Sequence, residues 1–113
     1  MTTNYNEMSN LLINKHVANI LDLKESPVSG MTYGDGLIVY PHSNEVNFDP
    51  CNNPLDAWPI IVGNKINIEW RDSLKLNPLA KGTGGNACHW SDKNPLRAAM
   101  ICFLRMKEIE NGN

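Results

Sequence analysis

Few side chains in this sequence are reactive. His42, Cys51, Cys88 and His89 are the candidate metal ligands, and Cys51 is the candidate nucleophile. A structural zinc site pairs its ligands at C-x2-4-C or H-x3-5-H spacing, which lets one turn or helix face present two of them to the same ion. The close pair here is Cys88-His89, and adjacent residues on a strand point to opposite faces. Cys51 lies just ahead of a helix start, a position that lowers a thiol pKa. No base accompanies it in the sequence, so it reads as a half-buried thiol, and Cys102, inside AAMICFL, reads as core. Lys81-Gly82-Thr83-Gly84-Gly85 holds the letters of a phosphate loop in the wrong order. That loop needs G-x-x-x-x-G-K-[ST] between a strand and a helix. Asp35, Asp49, Asp56, Asp72 and Asp92 fall in turns or first helical turns, where a carboxylate serves the backbone. No pair of them has a spacing that implies acid–base catalysis. We therefore assign no catalytic residue, no cofactor and no metal ligand from the sequence.

The bulk properties exclude further classes. A chain of 113 residues is long enough to bury roughly two thirds of its unfolded surface, which suits a single domain over 1–113 with loose ends at 1–8 and 110–113. The net charge of −2 comes with no window of clustered Lys and Arg, so the footprint of a phosphate-backbone binder is missing and nucleic acid is not an expected partner. The longest apolar run, Ala98 to Leu104, is far short of the ~18 residues a membrane span needs. The N-terminus lacks the basic-then-apolar order of a signal peptide. Three cysteines, an odd number, argue for a reducing compartment, hence a cytoplasmic protein.

Two segments with shared chemistry organise the chain: Asn53 to Val62, NPLDAWPIIV, and Asn94 to Met106, NPLRAAMICFLRM. In each, Asn caps a helix and Pro takes the first helical position, where its missing N–H costs nothing. In the first, Pro59 should kink or shorten the helix, which is placed at about 54–62 with Trp58, Ile61 and Val62 as anchors. An earlier helix, at about 10–22 and capped by Ser9, puts Leu12, Ile13, His16, Val17, Ile20 and Leu21 on one face and Asn14 on the other. His16 reads as a histidine packed at the core margin. Short strands are expected at Leu37 to Tyr40, at Val46 to Phe48 across a Ser43-Asn44 turn, and at Ala87 to Trp90. Lys65 to Arg71 is the clearest strand, with Ile66, Ile68 and Trp70 facing inward and Leu74 to Leu76 as its hairpin partner. Residues 26–36 and 77–86 read as loops.

The last helix, at about 95–109, is apolar over most of its circumference, so something must cover it on more than one side. Either it lies between the sheet and another helix, or a second subunit covers it. Arg97, Ile101 and Arg105 lie on its narrow polar strip. With His89 and Trp90, they form the candidate partner-binding set. Arg97 and Asp56 hold equivalent places in their helices and would pair if those helices packed side by side.

The segments CNNPLDAWPIIV followed by KINI, NPLRAAMICFLRMKE, and SNLLINKHVANIL together resemble the NinX family of the nin region in lambdoid phages and prophages. The resemblance covers most of 9–108. Leu55 and Gly63 depart from the usual residues, and the Gly-rich loop has no counterpart there. It implies a bacteriophage accessory protein of a bacterial cytoplasm with no established activity, in a layout similar to the small phage α-β-α sandwich domain. It carries over no catalytic or binding residues. The expectation is an α+β fold, a mainly antiparallel sheet of about four strands with three helices packed on it. The leading function is non-enzymatic binding of a host or phage protein, with a homodimer as a further partner form. The alternatives are a small enzyme or nucleotide-handling protein using residues 81–92, and a nucleic-acid-associated protein.

Overall fold

A computed structural model describes residues 4–25, 36–40, 46–83 and 88–111. The expected Ser43-Asn44 turn, His42, the connection at 26–35 and the loop residues 84–87 lie outside the described residues. The chain is α+β, with three α-helices, α1 (Asn10–Ile20), α2 (Pro54–Gly63) and α3 (Pro95–Glu110). Its described strands form two three-stranded antiparallel sheets rather than one of about four. β1 (Lys24–Glu25), β2 (Leu37–Tyr40) and β3 (Val46–Phe48) make the first, in sequence order. β4 (Asn67–Glu69), β5 (Leu79–Lys81) and β6 (His89–Ser91) make the second, with β5 central.

α3 runs through the middle. α1 and α2 pack on it, and so do all three strands of the second sheet. Every side chain from Ala98 to Leu104 is buried, which no one-sided surface helix achieves. Of the two covers that its sequence allowed, the chain supplies the internal one. The start of α3 is fastened on both sides of its cap. Asn94 Oδ1 accepts from the N–H groups of Leu96 and Arg97, while its Nδ2 donates to the Cys51 carbonyl at 2.7 Å. The cap therefore joins α3 to the turn that leads into α2. Asn53 caps α2 in the same way, accepting from the Leu55 N–H at 3.0 Å.

Several expectations change. α1 buries Ile13, Asn14, Val17 and Ala18, whereas His16 is exposed along with much of Leu12 and Ile20. Asn14 displaces the expected face because the turn at Asp49–Cys51 needs it. Its Nδ2 donates to the Asp49 carboxylate at 2.8 Å and its Oδ1 accepts from the Cys51 N–H at 3.1 Å. A buried turn has backbone and carboxylate groups to satisfy, and a carboxamide does so where an aliphatic side chain cannot. α2 continues through Pro59 to Gly63 without a break. Pro59 is on the exposed side, where its ring is turned away from the core. The anchors of α2 are Ala57, Ile60 and Ile61, and not Trp58 or Val62.

In the second sheet, Ile66 is buried and Ile68 half-buried as expected, but Trp70 is 63% exposed. The strand ends at Glu69, one residue too early for alternation to carry Trp70 inward. Its hairpin partner is not Leu74 to Leu76, which lie in or beside an exposed 3-10 turn, but β5. β5 falls inside the stretch read as a loop. It is legible only through its pairing, Ile68 against Ala80 and Ala80 against Trp90. Gly82 follows it because β5 and α3 approach closely: a Cβ there would sit 3.0 Å from Met106 Sδ. Nor is the N-terminal segment loose from residue 4 on. Tyr5 is buried, its ring edge-on to Trp90 at 5.9 Å and its hydroxyl donating to Glu108.

Candidate functional site

The five residues singled out for partner binding separate in space. Ile101 is fully buried beneath the rest of the chain and is unavailable to a partner. Arg97 is turned inward, with its side chain 11% exposed. Its Nε pairs with Asp92 at 3.1 Å, Nη1 donates to Asn10, and Nη2 donates to the Tyr5 and Met8 carbonyls. Four acceptors met by one rigid fork of donors make Arg97 the clasp that holds the N-terminal segment to α3. It does not pair with Asp56, whose carboxylate instead accepts from the Asp49 N–H at 2.9 Å. Only His89, Trp90 and Arg105 come together. Arg105 Nη1 donates to the His89 carbonyl at 3.1 Å and its guanidinium lies 5.4 Å from the Trp90 ring centre. Trp90 is half-buried between Arg105 and Tyr5, and its Nε1 is buried without a hydrogen-bond partner. The cluster exposes the His89 imidazole and little of the indole.

The thiols are inward too. Cys51, Cys88 and Cys102 are free and buried. Burial, then the neighbouring Cys88, pushes the Cys102 thiol up to about 11, so it stays protonated and unreactive at neutral pH. Cys51 is fully buried and not the half-buried thiol expected. Among the described residues, no group of three or more His, Cys, Asp or Glu could hold a metal ion. No described helix is long and apolar enough to cross a membrane.

Two of the surface hollows are lined by described residues. One, of about 230 Å³, lies between α1 and α3 and is lined in part by His16, Asn19, Lys107 and Glu108. Its charges are engaged within the chain: Lys107 with Glu110 at 3.1 Å, Glu108 with the Tyr5 hydroxyl. The other, of about 650 Å³, is apolar. It runs between α2 and the first sheet, lined by Leu21, Leu23, Val46 and Phe48 on one side and by Leu55 and Pro59 on the other.

That groove adjoins a strongly exposed apolar surface. Leu55 is 83% exposed, Trp58 63% and Val62 52%, and Pro59 is exposed between them. At 3.6 residues per turn these four side chains make one stripe about 100° wide, opposite the buried Ala57, Ile60 and Ile61. This face is not among the partner-binding residues expected from the sequence, although its signal is present there. NPLDAWPIIV is apolar all round, the same property that marked α3 as needing cover on several sides. In α3 the chain provides that cover; in α2 it covers one side only.

The sequence matches a protein family described as "Bacteriophage P22, NinX" over residues 4–107. No curated protein matches it. The match takes in α1, both sheets, α2 and all but the last turn of α3, and by it the chain belongs to the phage NinX family.

Proposed function

We propose that this phage protein works as a non-enzymatic docking domain that binds another protein through the outer face of α2 and the groove beside it. The observation that carries this reading is the contiguous stripe of Leu55, Trp58, Pro59 and Val62 left in water along one face of a single helix. A contiguous apolar patch that includes a tryptophan and borders a groove is the kind of surface that association buries, with the aromatic side chain as anchor. The interior chemistry supports the same reading. The buried carboxylate, Asp49, is held by Asn14 and Asn52, and the buried thiols face the core.

The test is affinity capture from infected or lysogenic cells with the wild-type chain and with Trp58→Glu, whose fold is checked by circular dichroism. A phage or host protein retained by the first and lost by the second is the expected result. Identical captured proteins from both would remove α2 from the function.

A further inference from the structure

The exposed face of α2 has a symmetry that points to its occupant. Its four apolar positions, Leu55, Trp58, Pro59 and Val62, are disposed evenly about the midpoint between Trp58 and Pro59. Two such helices laid antiparallel about a two-fold axis through that midpoint match apolar side chain to apolar side chain. Leu55 of each meets Val62 of the other, and each Trp58 ring lies against the other Pro59. An isologous contact needs a patch that complements itself, and an i, i+3, i+4, i+7 stripe has that symmetry in position.

The charges on α2 agree with the same arrangement. Asp56 stands in the first turn, Lys65 is exposed just beyond the C-terminal cap Asn64, and the apolar stripe between them bears no Lys or Arg. Antiparallel pairing sets the Asp56 end of each helix beside the Lys65 end of the other and opposes the two helix dipoles. Parallel pairing would set like ends together. The groove at Leu21, Val46 and Phe48 flanks the stripe and gives each partner helix a wall to lean on.

We infer that the occupant of this face is a second copy of the same chain, docked antiparallel through α2. This rests on the docking face proposed above and names what fills it. A contact centred on two ten-residue helices is smaller than the roughly 800 Å² per partner of a standard stable interface, so association with a Kd on the order of 10 µM is expected.

Sedimentation equilibrium of the full chain between about 1 and 500 µM, a range that brackets that Kd, tests it. The mass should rise from one chain to two. Trp58→Lys and Val62→Lys should each move that rise to concentrations at least about 30-fold higher. Trp70→Lys, at an exposed tryptophan off this face, should leave the dimer unchanged. A chain carrying both Leu55→Cys and Val62→Cys should oxidise to a covalent dimer, whereas Leu55→Cys alone should not, because antiparallel pairing separates the two copies of residue 55. A mass of one chain at every concentration, or a dimer indifferent to both lysine substitutions, overturns the inference. If the chain stays single while Trp58→Glu still abolishes capture of a phage or host protein, the second copy is wrong and the docking face stands. If capture is also indifferent, both are wrong.

Discussion

Replacing Asn14 with alanine should destabilise the protein more than any other single change to a polar side chain of α1. Asn14 is fully exchanged out of water, and its two ends join α1 to the turn at Asp49–Asn52. Its bond to the Asp49 carboxylate is to a charged acceptor and contributes about 1.5–3 kcal/mol. Its loss also removes the acceptor that the Cys51 N–H meets at 3.1 Å, a further cost of about 1–3 kcal/mol for a buried donor. Asn52 still reaches both Asp49 oxygens at 3.2 Å, so the carboxylate is not left bare. The total is roughly 2.5–6 kcal/mol, set against roughly 6–17 kcal/mol of stability for a chain of this length. In urea, with a slope of about 2 kcal/mol per molar, the midpoint should fall by about 2 M. Asn14→Leu separates polarity from volume. It fills the space and adds apolar burial but makes neither bond, and it should still cost at least about 2 kcal/mol. A neutral or stabilised Asn14→Leu would falsify the reasoning that hydrogen bonding, rather than packing, holds α1 to that turn.

Arg97→Lys keeps the charge but loses the fork that reaches Asp92, Asn10 and two carbonyls at once; a loss of about 2 kcal/mol is expected, with amide exchange rising first at residues 5–9. Unchanged exchange there would show that the N-terminal segment is held by Tyr5 alone. The tryptophans should divide by environment. Trp90→Ala should cost about 3 kcal/mol or more and Trp70→Ala no more than about 0.5 kcal/mol, by chemical denaturation. Cys102 makes stability depend on alkaline pH: its folded pKa of about 11 lies above the ordinary 9.0, so the folded state holds the proton more tightly. That contribution is complete below pH 9 and is lost as pH rises through 11. Cys102→Ala should flatten the fall in stability over that window, and an unchanged profile would place the cause elsewhere.

The helices were legible because their signals are local. Ser9, Asn53 and Asn94 each accept from the N–H groups of the turn that follows, as their places before apolar runs implied. The apolar circumference of Asn94 to Met106 announced a buried helix, and α3 is one. The strands were less legible. β5 is three residues long and sits in a stretch rich in Gly and Asn, and its strand character comes from the ladders to β4 and β6 on either side. Arg97, Ile101 and Arg105, three of the five expected partner-binding residues, lie on the narrow polar strip of α3, where polar side chains are expected to face water. Ile101 and Arg97 face the chain's own N-terminal segment and core instead.

By itself, the sequence determined where helices start, which of them must be buried, the α+β class and the phage family. Those follow from capping, proline placement and apolar periodicity, which act over a few neighbouring residues. Tertiary structure alone decided that Asn14 faces inward, that Trp58 and Trp70 face outward, and that the uncovered apolar face is on α2. Local pattern says that an apolar face must be covered; only the packing of distant elements says whether the chain has anything left to cover it with.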